Sequence, residues 1–350
     1  LEDLIDMGHS PANYGRRGTP GILALEEALC ALDGAAGCRL TPSGLNACGL
    51  ALQSVTRSGG HVLMIDTVYW PTRRFCDTVL KRAGIEVTYY DPMIGADIAT
   101  LFRDNTQAVY VETPGSNTFE IPDLPAISRA AHDRDLPVLI DNTWATPYFY
   151  NPLDHGADIH VQAATKYLAG HADLFMGVVS ANARWLPHVE RAHRQMGLTV
   201  APDDAYLVQR GLRTLGVRLD RHQETALKLA HWLKDQPEVA RVLHPAFPGH
   251  EGHDIWARDF CGASGLFSVV LREATLNKLS AMLDEMTFFA MGWSWGGYES
   301  LMVPVELSNA RTATEWTAPG PVLRIHAGLE DAYDLLADLE AGLERFRAAA

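Results

Sequence analysis

Pro137-Val138-Leu139-Ile140-Asp141-Asn142-Thr143 is a short apolar run that stops on an acid and two polar residues. A run of that length and composition predicts a buried strand. Upstream, residues 123–134 have the composition of a helix, and Ala108-Val109-Tyr110-Val111-Glu112-Thr113 is another strand, closed by Pro114-Gly115. Further back come a strand at 86–90, a helix at 71–82 and a strand at 61–66. Downstream, 159–161 and 175–180 complete the series. Buried strands alternating with helices predict an α/β fold with a mostly parallel sheet. In such sheets, ligands bind outside the carboxyl ends of the strands. Three of these strands end in polar residues: Asp66, Thr113 and Asp141.

The flanks differ. The first 20 residues are polar and marked by Gly and Pro, including Tyr14-Gly15-Arg16-Arg17-Gly18-Thr19-Pro20, which predicts an arm or loop. Helices are expected over 22–32 and 43–55, the second with Ser43 at its N-cap. After Arg213 the rhythm changes. A long helix (217–234) leads to a Pro/Gly/His-rich loop (245–254). Then come a strand (266–270), a helix (276–286), a strand (321–325) and a closing amphipathic helix (331–346). The expected division is an arm at 1–20, a large domain at 21–213 and a smaller α/β domain at 214–350.

Composition narrows the function. The chain has 350 residues, 47% of them hydrophobic and 21% charged, which is ordinary globular composition. A net charge of −14 lacks the cationic footprint that nucleic acid or an anionic membrane requires, so neither is an expected partner. No run reaches the ~18 apolar residues of a membrane-spanning helix. The chain opens Leu1-Glu2-Asp3 with no basic or apolar leader in view. Five cysteines at irregular spacing, with no Cys-x-x-Cys, fit a reducing cytoplasm better than a disulfide framework. Cys76 and Cys261 are expected to be buried small apolar residues.

Several residues could carry chemistry. Lys166, in Ala163-Ala164-Thr165-Lys166-Tyr167, follows the apolar Ile159-His160-Val161. Either its amine is desolvated and nucleophilic, or its stem is buried and its head reaches water. Asp141 either faces a ligand from its strand end or caps the following turn. Together they suit pyridoxal phosphate (PLP), which needs a lysine for its aldehyde and an acid for its ring nitrogen. Thr41-Pro42-Ser43-Gly44-Leu45 opens a helix whose free N–H groups suit a phosphate. Tyr69 either stacks on a flat ring or is a core aromatic. Arg324, in Val322-Leu323-Arg324-Ile325, needs an anion, which is either a substrate carboxylate or an internal partner. Arg16-Arg17 is either a surface turn or a phosphate contact. His244, His250 and His253 share one loop without helical spacing or a cysteine partner, so no metal site is expected. No glycine fingerprint for a dinucleotide or a P-loop is present, which counts against a nicotinamide oxidoreductase.

Ser43-Gly44, Tyr69, Ile140-Asp141-Asn142-Thr143-Trp144 and Gln162-Ala163-Ala164-Thr165-Lys166-Tyr167-Leu168-Ala169-Gly170-His171 resemble, in that order, the Cys/Met-metabolism family of PLP enzymes. The resemblance runs from Tyr14 to the C-terminal helix. It implies an aspartate-aminotransferase-like (type I PLP) fold: a mostly parallel seven-stranded sheet with a smaller C-terminal α/β domain. Lys166 would bond the cofactor and shuttle the proton, and Asp141 would partner the pyridine nitrogen. Tyr69 would stack on the ring. Gly44, Leu45 and Thr165 would hold the phosphate. Tyr14 and Arg16 would reach the phosphate of a neighbouring subunit in a homotetramer built as a dimer of dimers. Arg324 would grip the substrate α-carboxylate.

Two stretches resemble the cystathionine-β-lyase branch: residues 14–20, and Ser294-Trp295-Gly296-Gly297-Tyr298-Glu299-Ser300-Leu301. In that branch, Ser294 and Trp295 would line the substrate pocket. The implied reaction cleaves the Cβ–S bond of L-cystathionine to homocysteine, pyruvate and ammonia. Alternatives within the family are a general cysteine-S-conjugate lyase, a γ-lyase, a γ-synthase or a sulfhydrylase. Outside it stands a PLP-binding regulator with residual lyase activity. Leu45 departs from the family, where some members carry a smaller residue.

Overall fold

A computed structural model describes residues 14–308 and 310–349. Residues 1–13, most of the expected arm, lie outside the described residues. Among the described residues, eleven strands form two sheets. β1 (Gly37–Thr41), β2 (His61–Ile65), β3 (Glu86–Tyr90), β4 (Thr106–Glu112), β5 (Val138–Asp141), β6 (Ile159–Ala163) and β7 (Gly177–Ala181) build the first, in the order β1-β7-β6-β5-β4-β2-β3. The pairs β2–β3, β2–β4, β4–β5 and β5–β6 are parallel, and β7 runs antiparallel to β6 and β1. This is the mostly parallel seven-stranded sheet that the family resemblance implied.

The physical basis is burial on both faces. Every residue of β2 is buried, and Val138, Leu139 and Ile140 of β5 are fully so. A parallel sheet covered on both sides produces unbroken apolar runs of this kind. β1 escaped the sequence reading because Gly37-Cys38-Arg39-Leu40-Thr41 contains no such run. It is an edge strand with alternating burial.

β8 (Val239–Leu243), β9 (Leu266–Leu271), β10 (Leu301–Val305) and β11 (Val322–His326) form an antiparallel sheet in the order β10-β11-β9-β8. β8 and β10 were not anticipated: β8 alternates with polar Arg241, and β10 contains Pro304. Helix Leu215–Lys234 links the two cores, with Leu215 and Leu219 in the first and Ala226, Leu229 and Leu233 in the second.

Helix Gly44–Val55 begins where expected. Ser43 Oγ accepts the Asn46 N–H at 3.2 Å, an N-cap bond. The helix packs on β6 and β7, and the approach is close. A Cβ on Gly44 would lie 2.7 Å from Ala163 Cβ, and one on Gly177 would lie 2.4 Å from the Ser43 carbonyl oxygen. Glycine at these two positions brings the helix N-terminus against the end of β6.

Two expectations need correction. Cys261 is exposed, with its Sγ 3.3 Å from the carbonyls of Tyr148 and Phe149, whereas Cys76 is buried. The expected helix over 71–82 is α-helical over Trp70–Phe75 and widens to a π-helix over Cys76–Leu80.

Leu63 lies at the centre of β2 with no exposed surface. Leu63→Ala is expected to remove about 2–5 kcal/mol of stability. An equilibrium denaturation midpoint unchanged from wild type would contradict this packing.

Candidate active site

The carboxyl ends of β2, β4, β5 and β6 open on one cleft of about 400 Å³. It brings together Gly44, Leu45, Tyr69, Asp141, Thr165, Lys166, Ser294, Trp295 and Arg324. Tyr14 and Arg16 are elsewhere. Tyr14 is exposed, and Arg16 lines a separate hollow with Arg39 and His193.

Lys166 sits in the turn after β6. Its Nζ lies 2.7 Å from Ser294 Oγ and 5.1 Å from the centre of the Trp295 ring. Burial, with the positive charge of Arg324 nearby, lowers its pKa to about 8. Of the two readings of this lysine, its burial and its contact with Ser294 favour the desolvated amine.

Asp141 uses its two oxygens differently. Oδ1 accepts from Thr143 N at 3.0 Å and Thr143 Oγ1 at 2.6 Å, which caps the turn. Oδ2 accepts only a long contact from Cys48 Sγ, at 3.7 Å. Burial raises the Asp141 pKa, and the Thr143 bonds oppose that rise.

Beside it stands Glu112, which the sequence reading passed over in favour of Thr113. Glu112 and Asp141 are direct partners across β4 and β5. Glu112 Oε2 accepts the Tyr69 N–H at 2.6 Å, and burial followed by the charge of Asp141 pushes its pKa well up. The signal was available, because Glu112 is the last strand residue before the break at Pro114.

Tyr69 is not a core aromatic. It is 46% exposed and caps the short helix Trp70–Phe75 at the mouth of the cleft. Arg324 donates to the Trp293 carbonyl at 2.7 Å and to Asn117 Oδ1 at 3.4 Å. No carboxylate among the described residues pairs with it, so the internal salt bridge is absent there. Burial lowers its pKa to about 10.

Thr165 lines the cleft. Its hydroxyl is already engaged with Met176, accepting from N at 3.0 Å and donating to O at 3.2 Å. Ser43 occupies the Asn46 and Ala47 N–H groups, leaving those of Gly44 and Leu45 without an acceptor among the described residues.

Asn117 and His326 were also missed. Asn117 has a left-handed φ of 66°, a conformation asparagine tolerates. His326 Nε2 lies 3.1 Å from Gly296 N and 3.0 Å from Gly297 O. It holds the Ser294–Gly297 turn against the backbone of Lys166, where a Cβ on Gly296 would lie 2.9 Å from Tyr167 N. The three loop histidines have backbone partners: His244 with Ala246 N, His250 with Phe119 O and His253 with Pro245 O.

An amine with a lowered pKa, a carboxylate with an open oxygen and a helix N-terminus with free N–H groups together fit PLP. Residues 3–344 match the family described as Cys/Met metabolism PLP-dependent enzyme. The chain belongs to that family. It is 46% identical over 338 residues to the cystathionine beta-lyase of Escherichia coli, covering 95% of this chain and 86% of that protein. It is 42% identical over 348 residues to an L-alanine/L-glutamate racemase of Wolbachia pipientis, covering 99% and 86%. The cystathionine gamma synthase of Xanthomonas oryzae pv. oryzae, solved with aminoacrylate and cysteine, superposes with a TM-score of 0.90 at 32% identity, covering 98% of this chain and 90% of that one. This family member uses PLP.

Because burial disfavours the ammonium form, the neutral Lys166 amine becomes available as pH rises through about 8, against ~10.4 for a solvated lysine. In protein freed of cofactor, modification of Lys166 by an amine reagent, mapped by mass spectrometry, should show its midpoint near pH 8. A midpoint above about 10 would mean that the amine is hydrated.

Proposed function

We propose that this chain is a cystathionine β-lyase, cleaving the Cβ–S bond of L-cystathionine by α,β-elimination to homocysteine, pyruvate and ammonia. One observation carries the reading: the Lys166 amine, 2.7 Å from Ser294 Oγ, shares a cleft with a buried Asp141 and with Arg324, which has no carboxylate partner among the described residues. The Escherichia coli relative and the Ser294–Leu301 stretch support the choice of branch.

In this reading Gly44 and Leu45 N–H groups hold the cofactor phosphate. Asp141 partners the ring nitrogen through Oδ2, and Tyr69 covers the ring. When bound, PLP supplies an electron sink for the pair left at the substrate α-carbon. The guanidinium of Arg324 takes the α-carboxylate and orients the substrate, a bidentate task for which its fork is suited. Lys166 Nζ receives the α-proton. Its lowered pKa keeps a useful fraction neutral near pH 8, where a general base works best. Ser294 accepts from that amine and fixes its direction. Trp295 and Trp293 line the cleft beside Lys166 and Arg324.

Tyr14 and Arg16, remote from this chain's own cleft, would complete the phosphate site of a neighbouring subunit in a homotetramer. The division into an arm (1–20), a cofactor domain (21–213) and a small domain (214–350) belongs to the same reading, as does a cytoplasmic location. No helix among the described residues is long and apolar enough to cross a membrane.

The test is to supply the PLP-loaded protein with L-cystathionine and identify the keto acid and thiol. Pyruvate with homocysteine is expected. 2-Oxobutyrate with cysteine would move the chain to the γ-acting branch. No keto acid from L-cystathionine, together with conversion of L-alanine to D-alanine, would favour the activity named for the Wolbachia relative. Lys166→Ala should abolish turnover while leaving the fold intact by circular dichroism. Substantial turnover in that variant would sink the assignment.

A further inference from the structure

Asp66 follows β2 directly, three residues before Tyr69, and its side chain is fully buried. Its carboxylate is gathered by one short stretch from the far end of the chain. Oδ1 accepts from Thr312 N at 2.9 Å, and Oδ2 accepts from Ala313 N and Thr314 N at 2.9 Å each. Thr314 Oγ1 adds a bond at 3.1 Å, and Arg73 Nη2 an ion pair at 2.5 Å. Successive N–H groups converging on one anion form a nest. Burial alone would raise the Asp66 pKa, but the nest and Arg73 outweigh it and hold it low.

The neighbouring residue, Arg311, reaches a second loop. Its Nη2 pairs with Glu120 Oε1 at 2.6 Å and also bonds Thr118 Oγ1. Thr118 Oγ1 in turn donates to Glu120 Oε2 at 2.6 Å. Thr118 and Glu120 close the loop after β4, where Gly115 N donates to Glu120 O at 2.9 Å. That loop carries Asn117, the residue in contact with Arg324. The two loops also touch directly: Ser116 N donates to Thr67 O at 2.8 Å, and a Cβ on Gly115 would lie 2.4 Å from Thr67 Oγ1. Asp66, Thr118, Glu120 and 311–314 all lie outside the lining of the cleft.

We propose that residues 311–314 form a latch in which Asp66 and Arg311 are positioning residues: together they set Tyr69 and Asn117 and, through Asn117, the guanidinium of Arg324. The inference rests on the reading of Arg324 as the grip on a substrate carboxylate. The latch spans two loops that leave adjacent strands, β2 and β4, so losing it frees both at once. Its effect falls on recognition of the carboxylate rather than on the amine chemistry of Lys166, which is held from the other side by Ser294 and His326.

The test compares L-alanine with ethylamine, the same skeleton without the carboxylate, on PLP-loaded protein. Binding is read from the change in cofactor absorbance. Arg311→Gln should weaken L-alanine about tenfold, as expected when a charged hydrogen bond is lost from a positioning shell. Ethylamine affinity should change by less than about twofold, on the same scale. With L-cystathionine, KM should rise more than kcat falls. Arg311→Lys should recover part of the loss. Thr118→Val, which keeps the shape and removes the bridging hydroxyl, should give a smaller loss of the same selectivity. Equal losses for both ligands would mean a merely structural role, and unchanged L-alanine affinity in Arg311→Gln and Thr118→Val would overturn the latch. A wild-type protein that binds L-alanine but makes no keto acid from L-cystathionine would refute the proposed reaction while leaving this comparison valid.

Discussion

Parallel register at the centre of the large sheet is the constraint on which the site depends. β2, β4, β5 and β6 run in one direction, so their carboxyl ends emerge on one edge. The pairing sets Glu112 opposite Asp141, and Asp141 opposite Val161. Slipping a strand by one residue would turn its side chains to the other face. Apolar packing on both faces of the sheet holds these strands. The site inherits its geometry from apolar packing that has no part in the chemistry.

That geometry concentrates charge where water is scarce. Two cations, Lys166 and Arg324, share the cleft with two acids, Glu112 and Asp141. Burial lowers the pKa values of the cations and raises those of the acids. Direct pairing would quench these groups, and the structure avoids it. Lys166 faces a hydroxyl, Arg324 faces a carbonyl and an amide oxygen, and Glu112 takes a backbone N–H. Each charged group keeps binding capacity for something that enters. Such separation costs stability in an isolated protein and is a mark of functional sites.

The second sheet supplies the opposite wall. β11 carries Arg324 and His326, which alternate with Leu323 and Ile325 of the core. Arg324 leans on the loop after β4, while His326 secures the Ser294–Gly297 turn. The cleft therefore exists only when residues from the last third of the chain close over strand ends from the first half.

Local patterning determined the strand–helix alternation, the Ser43 cap, and Asp141 and Lys166 as chemical residues. Each rests on a short-range rule: an apolar run ended by a polar residue, or an N-cap before a helix. The edge strand β1 and strands β8 and β10 lacked such runs, so pairing alone reveals them. Glu112 was visible as a strand-end acid, but its importance came from the β4–β5 pairing that put it beside Asp141. The occupied hydroxyl of Thr165 and the open Oδ2 of Asp141 depend on neighbours that are distant in sequence. So do the contacts of 311–314 with Asp66, which span about 246 residues of chain. A sequence records which groups can ionise or donate. Only the folded chain decides which of them lose water together, because desolvation and hydrogen bonding depend on what packs against each group in space.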